Sequence, residues 1–210
     1  MIPPALRRMA LLLLLALGFQ ALKAQRVALT GVLTADETWQ GEISYHQMFN
    51  PYVGLGAGLG MWRERDPKAV PSDKGWRVHK DDERIRGFYL HPSLILITPA
   101  ILKVGPIGLG IMGEGGAKIG LPYDRVTLSL NGGQQTKDVS TTKGQCISVD
   151  GRLAVYARLS VLSVSLGYQF SNLDVYAHRR RQQYGNTSFG KFYPGAEAQH
   201  GAFASVALTF

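Results

Sequence analysis

Apolar and polar positions alternate along most of the chain, as is typical of β-strands, whose successive side chains point to opposite faces. The clearest run covers residues 53–61, where apolar residues and glycines take turns. A helical period is hard to find anywhere in the sequence. The pattern predicts an all-β fold of eight strands, at residues 27–34, 39–49, 53–61, 88–96, 107–112, 152–159, 162–170 and 202–210.

The connections between these strands differ in length in a regular way. The second, fourth and sixth are short: 50–51, 98–102 and a turn near Ser160. Three of the other four are long and polar: 63–84, 120–146 and 172–199. Short turns on one side and long loops on the other are typical of bacterial outer-membrane barrels. The sequence therefore predicts an eight-stranded antiparallel transmembrane β-barrel with short periplasmic turns and long extracellular loops.

The N-terminus indicates export. Arg7 and Arg8 precede an apolar run at 9–19, and the small residue Ala24 follows. This is the order of a secretory signal peptide. The run is shorter than the ~20 residues that a spanning helix needs, although a single N-terminal membrane helix is the alternative. We expect 1–24 to be a signal peptide and 25–210 to be an outer-membrane barrel domain.

The last strand ends with alternating apolar residues and a terminal aromatic: Val206, Leu208 and Phe210. This ending resembles the C-terminal signal of outer-membrane barrels, which the barrel-insertion machinery reads. The chain is similar in plan to the small OmpX-like and OmpA transmembrane-domain class, and the resemblance is architectural. It implies location in the outer membrane and contact with outer-membrane lipid, lipopolysaccharide and the insertion machinery.

Charged residues fall on the strand face opposite the apolar one. An eight-stranded barrel is only wide enough to be filled by side chains, and buried charges there must be paired. We therefore expect a polar network in the lumen, with a proton or ion path as the alternative. Its predicted members are Glu42, His46, Glu114, Asp150, Arg152 and Arg158. No spacing motif indicates a metal site, and the G-x-G-x-x-G pattern at 108–113 lies inside a period-two run, so no metal or cofactor is expected.

The densest basic run is at 178–181. Arg179, Arg180 and Arg181 predict a surface basic loop. It is either a solvated loop tip or a site of attraction for surface anions, such as lipid phosphates, acidic polysaccharide or other host or environmental ligands. Nucleic acid is not an expected partner.

One enzyme class has a partial match in this chain. Residues 169–172 resemble the His-x-Ser-Asn site of lipid A deacylases, but Gln169 occupies the position of the base. Glutamine cannot take the serine proton. The leading hypothesis is a non-enzymatic outer-membrane barrel with a structural or surface-interaction role. The alternatives are a lipid-modifying barrel enzyme and a soluble periplasmic barrel that binds a small apolar ligand, which would need its apolar face inside.

Overall fold

Eight long strands form a closed antiparallel barrel in a computed structural model that describes residues 24–35 and 38–210. Each strand pairs with the next long strand in the chain, and the last closes on the first, with Val27 opposite Leu208. The barrel strands are β1(Gln25–Thr34), β2(Thr38–Asn50), β3(Val53–Glu64), β6(Arg86–Ile97), β8(Ile107–Gly120), β11(Ile147–Leu159), β12(Leu162–Ser171) and β15(Gln199–Thr209). The predicted all-β fold with eight strands is confirmed.

The alternation in sequence becomes an apolar outside and a polar inside. Leu166 points outward and is 65% exposed, whereas its neighbour Ser165 points inward and is 3% exposed. The same contrast holds along β15, where Val206 and Leu208 are exposed and Ser205 is buried. A soluble barrel requires the opposite arrangement, so the prediction of a soluble barrel with an apolar ligand inside is wrong.

The barrel has two different ends, which we call the turn end and the loop end. The turn end carries the connections after β2, β6 and β11. The connection after β6 is longer than predicted, because β7(Leu102–Val104) pairs back onto β8. The loop end carries the three long connections. Exposed aromatic side chains lie near both ends: Phe49, Tyr52 and Phe210 near the turn end, and Phe88, Tyr123 and Phe170 near the loop end.

The long connections are folded rather than irregular, and together they form what we call the cap. Its sheet has the order β10(Gln135–Thr141), β9(Asp124–Leu130), β5(Trp76–Val78), β4(Ser72–Asp73). The third connection adds a helical turn at Ala177–Arg180 and a small hairpin of β13(Gln183–Tyr184) and β14(Thr187–Ser188). Apolar side chains from all three connections pack into one core with the upper barrel: Trp62, Trp76, Val78, Ile85, Tyr89, Val126, Leu128, Val175, Tyr176, Phe189 and Tyr193.

Three inward-facing aromatic rings lie directly across from glycines on a neighbouring strand. The pairs are Tyr89 with Gly60, Trp62 with Gly87, and Tyr156 with Gly110. A methyl group on any of these glycines would overlap the ring opposite. The absent side chains therefore provide the space in which the rings lie against the barrel wall.

The predicted signal peptide lies outside the described residues, apart from Ala24. Within residues 24–35 and 38–210, no helix has the length and apolar character needed to cross a membrane.

Candidate functional site

Arg152 of β11 is the centre of a charged network inside the barrel. Its two terminal nitrogens donate to the two carboxylate oxygens of Glu42, at 2.9 and 2.8 Å. One of them also donates to Glu114 Oε2 at 3.3 Å, and Nε donates to Gln169 Oε1 at 2.9 Å. This two-pronged pairing of guanidinium and carboxylate is the strongest kind of side-chain ion pair. It joins β11 to its neighbours β8 and β12 and, across the lumen, to β2.

Two buried histidines extend the network to β6 and β2. His91 Nδ1 lies 3.2 Å from Glu42 Oε1, and its Nε2 lies 2.7 Å from Asp150 Oδ1. His46 Nε2 lies 2.9 Å from Ser93 Oγ, and that hydroxyl donates to Glu114 Oε1 at 2.8 Å. Glu42 therefore contacts Arg152 and His91, Glu114 contacts Arg152 and Ser93, and Asp150 contacts His91 and Lys118.

A ladder of amides continues from the network toward the loop end. Lys118 Nζ donates to Gln40 Oε1 at 2.7 Å and lies 3.8 Å from Asp150 Oδ2. Gln40 in turn donates to Gln199 at 3.2 Å, and Gln169 donates to Gln40 at 3.3 Å. Lys118, Gln40 and Gln199 were not predicted as members, although Lys118 shares its strand parity with Glu114.

Of the six predicted lumen residues, five lie together and one does not. Glu42, His46, Glu114, Asp150 and Arg152 share the network, whereas Arg158 lies near the turn end and its Nε donates to Ser160 O at 3.0 Å. The alternation along β11 puts Arg158 on the same inward face as Arg152. Arg158 lies six residues further along the strand, however, next to its end at Leu159, and is therefore at the rim of the barrel. The prediction is wrong in placing Arg158 within the network.

Three of the lumen groups could in principle share a metal ion. One ligand atom each from Glu42, His91 and Glu114 lies within 4.8 Å of the others. Glu42, however, already receives two hydrogen bonds from Arg152. A cation placed there would lie beside a fixed positive charge, so the donor set fits an ion-pair network better than a metal.

The predicted surface basic loop is largely folded into the cap. Arg179 is only 4% exposed; its Nε lies 2.8 Å from Asp124 Oδ2, and its Nη1 donates to the carbonyl of Asp82 at 2.8 Å. Arg180 pairs with Asp174, and only Arg181 is exposed. The prediction of three surface arginines is therefore wrong for Arg179 and Arg180, because the carboxylates that neutralise them lie outside the basic run. Burial raises the pKa of Asp124 despite its pairing with Arg179, and burial raises the pKa of the Tyr193 phenol to about 12.

The buried carboxylate of Glu64, at the end of β3, accepts hydrogen bonds from neutral donors in the cap. Glu64 Oε1 accepts from the Tyr176 hydroxyl at 2.7 Å and from the backbone N–H of Lys68 at 3.1 Å. Its other oxygen accepts from the backbone N–H of Ile85 at 3.3 Å. Three separate segments of the chain are thus fastened to the end of β3.

In the segment that resembles a lipid A deacylase site, Gln169 and Ser171 face the lumen, whereas Phe170 and Asn172 are exposed. Gln169 is buried and bound to Arg152 and Gln40. The Ser171 hydroxyl donates to Val149 O at 3.3 Å and accepts from the N–H of Leu173. Among the described residues, no histidine is hydrogen-bonded to this serine. At the chain end, Val206, Leu208 and Phe210 face outward on the strand that closes the barrel; their part in insertion stays a prediction.

Comparisons with known proteins find a likeness of architecture only. No known protein family and no curated protein matches the chain. Among solved structures, a major outer membrane protein from Thermus thermophilus is similar, with 12% identity, 90% of this chain and 100% of that one covered, and a TM-score of 0.46. Neisserial surface protein A is similar at 10% identity, 90% and 96% coverage and a TM-score of 0.44. The outer membrane enzyme PagL is similar at 8% identity, 86% and 97% coverage and a TM-score of 0.40. A closed eight-stranded barrel, apolar outside and polar inside, is the architecture of small outer-membrane barrels.

Proposed function

We propose that this protein is a non-enzymatic outer-membrane barrel that holds a folded cap at the cell surface for contact with the environment. In this orientation the turn end faces the periplasm and the loop end faces outward. The barrel supplies the anchor, and the cap supplies the surface for recognition.

The cap is the observation that carries this proposal. Three connections that would be separate polar loops instead share a core in which Trp76 stacks on Phe189, with ring centroids 5.3 Å apart, and packs edge-on against Tyr184. Apolar burial of this kind fixes the outer surface of the cap in one shape. Binding residues are usually on loops held by a rigid scaffold, and here the scaffold extends into the loops themselves.

The lumen supports an anchoring role rather than a transport role. The Arg152 network spans the lumen from β11 to β2, and its charged groups are already paired with one another. An ion entering the lumen would have to break the two hydrogen bonds between Arg152 and Glu42. The exposed apolar wall with aromatic residues near both ends supports membrane insertion.

Single-cysteine labelling tests both location and orientation. The native Cys146 is first changed to serine, and then one exposed lysine is replaced: Lys74→Cys in the cap or Lys103→Cys at the turn end. A maleimide that cannot cross membranes should label Lys74→Cys on intact cells and Lys103→Cys only after lysis. Equal labelling at both sites on intact cells, or release of the protein by osmotic shock, would contradict the proposal.

The non-enzymatic part of the proposal needs its own measurement. Mass spectra of lipid A from cells with and without the protein should be identical, because Gln169 cannot act as a base and Ser171 is hydrogen-bonded to backbone. A mass change that requires Ser171 would favour the lipid-modifying alternative.

A further inference from the structure

The outer wall of the barrel has an open apolar groove of about 830 Å³ below the cap. Gly41 of β2 lies at the floor of the groove, and Gly31 of β1 is directly opposite it. Two neighbouring outward positions therefore carry no side chain. The side chains around the hollow are apolar and include Leu29, Ile43, Met61, Phe88 and Leu121. The volume lies in the range of about 300–1,000 Å³ that small-molecule sites have.

Two arginines lie where this apolar wall ends. Arg63 of β3 and Arg86 of β6 are directly opposite each other, one step above the pair Met61 and Phe88 that lines the groove. Both are exposed, and neither forms an ion pair with any residue that the structure describes. Like charges directly opposite each other on neighbouring strands destabilise a sheet. An anion bound between the two arginines would remove this repulsion.

A smaller cavity under the cap adjoins the groove. The two share Phe88, Tyr89, Gly120 and Leu121, and the cavity of about 340 Å³ is lined in addition by Arg86. Asp124 and Asp174 line it too, but they are paired with Arg179 and Arg180. Among the described residues at this place, the charges without an ion-pair partner are therefore those of Arg63 and Arg86.

We infer that this surface binds one phosphorylated membrane lipid, with acyl chains in the groove and its phosphate between Arg63 and Arg86. The inference rests on the proposed membrane location, which places the groove in the outer leaflet and the arginines at the headgroups. A second copy of the chain fits less well. In a two-fold interface the same patch meets itself, so the unpaired arginines of the two copies would be brought together.

Native mass spectrometry of the purified, folded protein in detergent tests the site with lipid A as the probe. The Gly41→Leu variant fills the hollow; the nearest atom to a Cβ there is 3.6 Å away, so the strand keeps its geometry. The matched control is Gly151→Leu, also an outward-facing glycine with nothing within 4 Å of a Cβ. The charge variant is Arg63→Gln/Arg86→Gln, and its control with equal loss of charge is Lys103→Gln/Lys143→Gln.

We expect lipid A to bind to the native chain and less well to Gly41→Leu, whose new side chain occupies the hollow. The arginine variant should bind it more weakly by roughly fivefold for each arginine removed. Both controls should retain the affinity of the native chain, and dephosphorylated lipid A should bind no better to native protein than to the arginine variant. Equal binding by all variants, or equal binding of the dephosphorylated lipid, would overturn the inference. Displacement of lipid A by inorganic phosphate alone would mean that a free anion is the ligand, and would overturn it too.

The two proposals fail separately. Cysteine labelling reports on location and uses Lys74 and Lys103, neither of which lines the groove. Loss of lipid binding in a protein that is still labelled only at the cap removes the lipid site and leaves the anchor.

Discussion

The lumen and the apolar core of the cap are adjacent interiors of one chain, and they are built from opposite kinds of residue. In the lumen, Arg152, Glu42 and Gln169 are buried together and hold one another by charge and hydrogen bonds. In the cap, Trp76, Leu128 and Phe189 are buried together and contain almost no polar atoms. The difference follows from what lies outside each region. In the proposed membrane location, the barrel strands present their apolar face to lipid, which leaves the polar face for the inside, whereas the cap has water outside and keeps the ordinary arrangement.

Tyr89 is the residue in which the two interiors meet. Its ring belongs to the cap core, and its hydroxyl donates to Glu42 Oε2 at 3.1 Å. Substitutions should therefore destabilise the two interiors by different mechanisms. In the lumen the cost is a buried charge without its partner, and in the cap core it is a cavity.

The largest effect is expected from Arg152→Met, which leaves Glu42 and Glu114 buried beside each other without their cation. Breaking a buried pair in this way costs about 3–5 kcal/mol. The free energy of unfolding in detergent, followed by denaturant titration, measures it, and Arg181→Met is the control because Arg181 is exposed. The double variant Glu42→Gln/Arg152→Met should regain part of the loss; if it does not, the cost comes from packing rather than from charge.

Trp76→Ala should damage the cap and leave the barrel intact. Removing a buried tryptophan from a packed core costs about 3 kcal/mol. Hydrogen exchange should rise in β5 and β9 and stay unchanged in β1 and β15. Tyr123→Ala, at an exposed aromatic outside the cap core, should change neither region. Faster exchange throughout the barrel would show that the two interiors unfold as one.

Tyr89→Phe keeps the ring in the cap and removes one donor from Glu42. A single hydrogen bond to a charged group contributes about 1.5–3 kcal/mol, and the remaining bonds from Arg152 reduce the loss to the lower part of that range. Denaturant titration should show this loss in the native chain and a larger loss in an Arg152→Met background, where Glu42 has lost its two bonds from Arg152 and depends more on the Tyr89 hydroxyl. Equal losses in both backgrounds would mean that Tyr89 acts only through packing.

The smallest effect concerns pH at the cap surface. The Arg125 guanidinium and the Thr127 hydroxyl hold the pKa of Asp138 below its ordinary value. Asp138 therefore contributes stability above the ordinary aspartate pKa of about 3.9, and this contribution is lost as pH falls through the lower folded value. Exchange protection of the β9–β10 hairpin, corrected for intrinsic rates, should fall on acidification in the native chain and less in Asp138→Asn. Identical profiles would show that the pair contributes nothing.

The barrel could be predicted from sequence because its strands are long and their positions alternate regularly between the apolar outer face and the polar lumen. Glu42, Glu114 and Arg152 followed from that parity alone. The alternation does not show how far along the barrel axis a residue lies, and for this reason Arg158 was wrongly assigned to the network. The cap was missed for a different reason: its strands have two to seven residues, and the apolar positions of Val126 and Leu128 lie among polar residues. Their partners come from other connections, and no local pattern reveals such distant packing.

The lumen glycines that face aromatic rings have a consequence for how this sequence can vary among descendants. Gly60 cannot gain a side chain while Tyr89 occupies the space, and the same holds for Gly87 with Trp62 and for Gly110 with Tyr156. The two residues of each pair should therefore change together, so that a larger residue at the glycine position is accompanied by a smaller one at the aromatic position. Homologous chains should therefore show correlated volume at these three pairs of positions, even where every individual residue differs.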